Sequence, residues 1–233
     1  VLRIGVIDYT GKVNSSIVNE ILNRDDCVLA GVLVDKIPQD NTLKFKLYDN
    51  LQDFAKVVDA IIDFTHPDKT VSIAKNLVDN KTLLVSGTTG FTDSQFEEFK
   101  SYGKYFPIIW SANMSIGINL ILSMLKTITP VIRTSFDSAI IETHRLNKKD
   151  RPSGTSKMLA NTIDSYGGNK PEIASLRLGD CKGDHSIIFS NEEESITISH
   201  NVFSRNIYAK GAIEACKWGI GKEPAFYSMQ DVF

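Results

Sequence analysis

Leu2-Arg-Ile-Gly-Val-Ile-Asp8-Tyr-Thr-Gly11-Lys12-Val-Asn14-Ser-Ser-Ile17-Val18-Asn-Glu-Ile21-Leu22 is the stretch whose reading decides the fold. Leu2 to Asp8 is mostly apolar, as in a strand covered on both faces. A glycine turn follows, and apolar residues then recur at Val13, Ile17, Val18, Ile21 and Leu22 with the spacing of a helix face. Strand, glycine turn and helix open a dinucleotide-binding unit. The next strand, Cys27 to Asp35, ends in an acid about twenty residues past that turn, where such units grip an adenosine ribose. Asp35 favours NADH through the ribose hydroxyls, whereas Lys36 beside it can meet the 2′-phosphate of NADPH, so the pair permits either cofactor. A strand-terminating Asp with no ligand is the plain alternative, and its spacing from Gly11 is what raises it.

Working outward, residues 37–50 form a polar connector, Leu51 to Val58 a short helix, and Ala60 to Thr65 a strand that breaks at His66-Pro67. A helix reaches Asn80, the strand Thr82 to Ser86 leads into the turn Gly87-Thr88-Thr89-Gly90, and a helix from Thr92 to Tyr102 precedes the strand Pro107 to Ser111. This alternation implies a parallel sheet with helices on both faces. After Ala112-Asn113-Met114-Ser115-Ile116-Gly117 and a helix over Ile118 to Thr129, the character changes. Strands at Ile173 to Leu178, Ser186 to Ser190 and Ser195 to Val202 follow at short intervals, which implies an antiparallel or mixed sheet. A helix from Asn206 to Gly219 is long enough to return to the first domain. The expected fold class is therefore α/β, a Rossmann-like doubly wound parallel sheet plus a second α+β domain. Residues 1–115, completed by 206–233, make the dinucleotide-binding domain, and 116–205 the substrate-binding and oligomerisation domain.

A net charge of −2 and a pI near 6.1 give no electrostatic case for nucleic acid or anionic membrane. No apolar run reaches membrane-spanning length, and Val1-Leu-Arg-Ile-Gly reads as a strand rather than a leader peptide. Cys27, Cys181 and Cys216 are far apart with no C-x-x-C, which suits a reducing cytoplasm and argues against a disulfide framework or structural zinc. Cys181 and His185 suggest a metal pair, but two ligands without partners make a poor site, and none is expected.

Chemistry is concentrated in Ile140-Ile-Glu142-Thr-His144-Arg145-Leu-Asn-Lys148-Lys149-Asp150-Arg151-Pro152-Ser153-Gly154-Thr155. It starts as a buried strand. The charged run from Glu142 then lacks any helical apolar face and reads as an exposed loop at a strand end. Ser153 or Thr155 can cap the helix that follows through Met158, Leu159 and Ile163 to Gly167-Gly168. Free N–H groups at a helix start attract anions, and Gly154 lets a ligand approach the backbone. With Arg145, Lys148 and Lys149 nearby, the natural guest is a small carboxylate or phosphate compound, and His144 can exchange a proton near neutrality. A basic surface loop before an ordinary capped helix is the bland alternative.

That run resembles the signature E-x-H-H-x-x-K-x-D-x-P-S-G-T of the 4-hydroxy-tetrahydrodipicolinate reductase family, with Arg145 in place of the second His. The resemblance implies His144 and Lys148 as catalytic residues, either one the proton donor, and Arg145, Ser153, Gly154 and Thr155 as substrate-binding ones. Asp63-Phe64-Thr65-x-Pro67 lies, by the same resemblance, near the nicotinamide ribose. Gly87-Thr88-Thr89-Gly90 lines the nicotinamide, and Ala112-Asn113-Met114 with its neighbours forms the crossing between domains that touches the cofactor. Arg177-Leu-Gly179, Gly183-Asp-His185, His200 to Arg205 and the C-terminal Tyr227 to Phe233 also resemble family elements. The family's G-x-x-G-x-x-G falls on Asp8, Gly11 and Asn14, so Gly11 and Lys12 are left to meet the pyrophosphate, and a carboxylate at Asp8 repels it. The implied activity is NADH- or NADPH-dependent reduction of 4-hydroxy-tetrahydrodipicolinate to tetrahydrodipicolinate in lysine and diaminopimelate biosynthesis. The implied substrate is a small dicarboxylate, and a homotetramer through the second domain's sheet is expected. Two rivals are a two-domain oxidoreductase for another small acid and a cofactor-binding sensor that has lost turnover, the latter motivated by Asp8, Asn14 and Arg145.

Overall fold

The computed structural model describes residues 1–40 and 42–233, so Asn41, within the connector, lies outside the described residues. The chain divides into two compact units, Val1–Met114 with Asn206–Phe233, and Ser115–Arg205. The first begins β1 (Leu2–Ile7), α1 (Lys12–Leu22), β2 (Cys27–Leu33), β3 (Leu47–Tyr48), α2 (Leu51–Ala55) and β4 (Ala60–Asp63). It continues α3 (Pro67–Asn76), β5 (Leu83–Ser86), α4 (Asp93–Ser101) and β6 (Ile108–Trp110). The second unit holds α5 (Ile116–Ile132), β7 (Asp137–His144), α6 (Gly154–Ser165), β8 (Glu172–Arg177), β9 (Asp184–Ser190) and β10 (Ser195–His200). The chain returns to the first as α7 (Asn206–Gly219), β11 (Phe226–Ser228) and α8 (Met229–Val232).

In the first unit the strands form one parallel sheet in the order β11-β6-β5-β4-β1-β2-β3. Both faces are covered, which is why its strands are nearly continuous apolar runs. Ile4, Val6 and Ile62 pack with α1 and α7, while Ile7, Ile61 and Leu84 pack with Phe54 of α2, Ile73 of α3 and Phe99 of α4. The strand order reverses between β1 and β4, the point at which doubly wound sheets open a crevice past their strand ends. The return helix is tied to the turn after α1 by Arg24 with Glu214 at 3.2 Å, and by Lys217 with Asp26 at 2.5 Å.

The two edge strands were not legible in the sequence. Leu47–Tyr48, inside the polar connector, pairs with Val32 and Leu33, and Phe226–Ser228 pairs with β6. Helix α3 stops at Asn76 with Leu77 as its cap, short of the expected Asn80.

In the second unit the sheet runs β10-β9-β7-β8 and is mixed, with β7 parallel to β8 and antiparallel to β9. Ile118, Leu122 and Leu125 of α5 and Leu159 and Ile163 of α6 pack on Ile140, Ile187 and Phe189 from one sheet face. On the other face Ile141 and Leu176 are exposed. Two expectations are corrected here. Helix α5 runs through Pro130 to Ile132 rather than ending at Thr129. With its following turn, Ile116–Ser135 is a 20-residue segment containing an 18-residue stretch of mean hydropathy 1.3, long and apolar enough by length and composition to cross a membrane. Five of its apolar residues, Ile118, Ile121, Leu122, Leu125 and Ile132, belong to the core of this unit, which accounts for that composition.

Candidate active site

The charged run of the second unit begins inside the sheet. Strand β7 continues to His144, with Glu142 fully buried and His144 at 9% exposure, so the expected exposed loop starts only at Arg145. The physical reason is register. Ile140, Glu142 and His144 share one face, and pairing sets Glu142 opposite His185 of β9 and Ser175 of β8, and His144 opposite Arg177. Buried charge must be answered by donors, and Glu142 has several. Its Oε2 accepts from the Ser153 N–H at 3.0 Å and the Ser156 hydroxyl at 2.6 Å, and its Oε1 accepts from both terminal nitrogens of Arg177 at 3.3 Å. Burial alone would raise the Glu142 carboxyl, but hydrogen bonds from Ser153, Ser156 and Ser175 outweigh it and hold the group down at about 2.

Arg177, itself buried, extends this network into the loop. It donates to the main-chain carbonyls of Lys148 at 3.1 Å and Asp150 at 2.5 Å. The backbone of the lysine-bearing loop is thus fixed from the sheet beneath it. The Lys148 ammonium lies 2.7 Å from each carboxylate oxygen of Asp150. Asp150 titrates below its usual range because this ammonium overcomes the effect of partial burial. Arg145 and Lys149 are exposed. His144 and Lys148 are not on one helix face: the strand ends at His144 and a turn separates them.

Burial is also the main reason the His144 imidazole titrates below 6.5, and the charges of Lys148 and Arg177 add to it against Glu142. Its Nε2 lies 3.6 Å from Glu142 Oε2. Behind it, Gly183 has φ +138, and a Cβ there would stand 2.9 Å from His144 Cε1, so only glycine fits beside the ring. His185, 3% exposed and edge-on to His144 with centroids 5.3 Å apart, is pushed down to about 4 by burial and by His144. Glu142, His144 and His185 bring one ligand-capable atom each within 4.8 Å of one another. The donors named above satisfy the Glu142 carboxylate, while His144 Nε2 and His185 Nδ1 have no hydrogen-bond partner among the described residues. Cys181, weighed beside His185 in the sequence, instead faces the Thr143 carbonyl and Asp184.

Ser153 caps α6, accepting from the Ser156 N–H at 3.2 Å, and no acid occupies the first turn. Gly154 is exposed with nothing within 4 Å of a Cβ position, and Thr155 is half-buried. Glycine here leaves open space in front of a helix N-terminus, with Lys148 on the adjoining loop, an arrangement able to hold a carboxylate.

In the first unit, Asp8 sits at φ +63 and turns its carboxylate back into its own turn. It accepts from the Tyr9 N–H at 2.6 Å, the Thr10 N–H at 2.9 Å and the Thr10 hydroxyl at 3.0 Å. Burial would raise this acid, yet the Thr10 and Tyr9 donors and the charge of Lys69 bring it below its usual range. Gly11 starts α1 without any side-chain cap, no acid follows in the first turn, and Lys12 is exposed. The buried Asn14 Oδ1 has no hydrogen-bond partner. An uncapped helix start with a lysine suits a pyrophosphate, and the Asp8 carboxylate opposes one.

Asp35 is 88% exposed at the end of β2 and is held by Lys69 Nζ at 2.6 Å, while Lys36 is exposed beside it. Phe64 lies against Gly87, where a Cβ would come within 2.1 Å of the ring. Thr88 is buried and Thr89 exposed. Ala112 is exposed and Asn113 buried, and the Met114 side chain is packed in the core.

Sequence reasoning missed four organisers. Glu142 and Arg177 were quoted without a role. Lys69 went unnoticed, although a cation in the first turn of α3 opposes the helix dipole and so asks for a reason. Asp63, fully buried, accepts from Thr65, Thr70, Ser86 and Thr88 and so joins the ends of β4 and β5.

Residues 2–114 match the family model described as dihydrodipicolinate reductase, N-terminus, and residues 117–233 the one described as its C-terminus. A 4-hydroxy-tetrahydrodipicolinate reductase of Rickettsia rickettsii (strain Sheila Smith) is 37% identical over 100% of this chain and 99% of its own. The enzyme of that name from Clostridium novyi (strain NT) is 35% identical, covering 96% of this chain and 94% of its own. Among solved structures, the dipicolinate-bound dihydrodipicolinate reductase from Paenisporosarcina sp. TG-14 superposes with a TM-score of 0.87 at 21% identity, covering all of both chains. With both halves of the chain matched and full-length relatives above a third identical, this chain belongs to the dihydrodipicolinate reductase family.

Proposed function

We propose that the chain is an NAD(P)H-dependent 4-hydroxy-tetrahydrodipicolinate reductase of lysine and diaminopimelate biosynthesis. The observation that carries this is the Lys148 loop beside the open N-terminus of α6, anchored by Arg177 and Glu142. Gly154 and Thr155, with Ser153 as cap and Arg145 and Lys148 as cations, hold the substrate's carboxylates, as the dipicolinate bound to the Paenisporosarcina enzyme also supports. In the first unit Gly11 and Lys12 face the pyrophosphate, Asp35 and Lys36 the adenosine, and Phe64, Gly87, Thr88, Thr89, Ala112, Asn113 and the Met114 main chain the nicotinamide end. When bound, a reduced nicotinamide would supply the hydride for a ring carbon. The substrate's hydroxyl leaves as water together with a proton from the neighbouring ring carbon, and one proton from the protein, added beside the hydride-accepting carbon, replaces it.

Lys148 is the better donor of that proton. Its Nζ is held 2.7 Å from both carboxylate oxygens of Asp150, whereas burial lowers the His144 imidazole and disfavours its charged form. His144 and Lys148 both remain catalytic in this reading, the neutral ring orienting substrate. The exposed sheet face with Ile141 and Leu176 is the assembly surface of a homotetramer, and the three free cysteines suit work in the cytoplasm. A coupled assay with aspartate semialdehyde, pyruvate and the upstream synthase tests the whole. Loss of nicotinamide absorbance, abolished in Lys148→Ala, is expected. Tight NADH binding without turnover would support the sensor reading that the Asp8 carboxylate favours.

A further inference from the structure

Beside the end of β2 lies a cavity of about 440 Å³ with walls that include Leu33, Leu51 and Ile73 and a rim that includes Asp35, Lys69 and Asn76. Polar side chains, Asp49, Asn50, Gln52 and Ser72 among them, outnumber the apolar ones in its lining, so it offers a heterocycle both apolar contact and hydrogen-bonding groups. Lys69 on that rim has two features that the fold does not require. It stands in the first turn of α3, where a cation opposes the helix dipole, and its ammonium is held 2.6 Å from Asp35. Its charge also reaches Asp8 at the end of β1.

A strand-ending acid normally excludes a 2′-phosphate, because two negative groups would meet where the ribose is gripped. Here that acid is neutralised before any ligand arrives. We propose that Lys69 is the specificity-determining residue that admits a 2′-phosphorylated adenosine, so that the chain takes NADPH as well as NADH. With NADH, Asp35 turns from Lys69 to the ribose diol. With NADPH, Lys69 and Lys36 take the 2′-phosphate and Asp35 swings into solvent, where its 88% side-chain exposure already places it.

This inference rests on the reading of the first unit as a dinucleotide site, and the test separates the two. Adenosine 2′,5′-bisphosphate and AMP are titrated against the full chain by calorimetry, with no turnover involved. Both are expected to bind the wild type. In Lys69→Met the bisphosphate weakens about tenfold while AMP is unchanged or tighter, the size expected for one charge-assisted hydrogen bond. In Asp35→Asn the preference moves the other way. If both nucleotides bind but Lys69→Met shifts them equally or not at all, Lys69 is a surface ion-pair partner only and the inference fails while the site stands. If neither binds the wild type, the dinucleotide reading itself fails and takes the inference with it.

Discussion

Replacing Asp8 by glycine should tighten cofactor binding, and the structure says how. The carboxylate occupies the Tyr9 and Thr10 N–H groups of the turn between β1 and α1, donors that a pyrophosphate would otherwise use. A phosphate charge about 5 Å from Asp8 is repelled by about 3 kcal/mol at an effective dielectric near 20, and by under about 1 kcal/mol in bulk water. Since Asp8 is half-buried, the expected gain in NADH affinity lies between about fourfold and about a hundredfold. Stability should fall by about 1–2 kcal/mol. Glycine removes left-handed strain of about 1–2 kcal/mol at φ +63, and three partly exposed hydrogen bonds of about 1 kcal/mol each are lost against it. Asp8→Asn is the sharper control, because Asn also tolerates this φ and keeps an acceptor while removing the charge. NADH dissociation constants are measured by cofactor fluorescence at low and high salt. The gap between wild type and Asp8→Asn should narrow as salt rises, because screening weakens the repulsion. A dissociation constant unchanged in both variants at low salt would refute the electrostatic argument.

Two further outcomes follow from the buried network of the second unit. Arg177→Met leaves the Glu142 carboxylate buried without its cation and should lower stability by about 3–5 kcal/mol in urea unfolding, with Arg177→Lys restoring little because a single ammonium cannot serve Glu142 and two carbonyls at once. A loss under about 1 kcal/mol would show that the guanidinium does not anchor the loop. Acidification acts through His185, which titrates at about 4 in the fold against 6.5 when unexposed to it. Between those values the unfolded chain holds the extra proton, so stability is full above about pH 6.5 and falls by about 3 kcal/mol as the pH drops toward 4. Glu142, at about 2 against 4.5, extends the loss below that window. Urea midpoints at pH 7, 5.5 and 4 measure this, and a midpoint flat across the range, or a slope undiminished in His185→Gln, would count against it.

What the sequence made legible tracks where the structural information is local. The first unit's central strands are continuous apolar runs because both faces are covered, and the run itself says so at Leu2–Ile7 and Ala60–Asp63. Leu47–Tyr48 and Phe226–Ser228 carry no such signal: two or three residues become strands only because a neighbouring edge offers them hydrogen bonds. The site shows the same division. Lys148, Ser153 and Gly154 lie in one short segment whose capping and charge can be read in place. Glu142 and His144 were misjudged because polarity was allowed to outvote period. Alternation through Ser138, Ile140, Glu142 and His144 assigns all four to one strand face, and Ile140 is in the core. A carboxylate at a core-facing position demands a buried donor elsewhere in the chain. The demand could have been stated from residues 138–144 alone. Its answer, Arg177 from β8 and the start of α6, needed the register that brings segments eleven to thirty-five residues apart onto one carboxylate. The misread residues are therefore those whose environment is made by pairing, and these are also the residues that hold the catalytic loop in place.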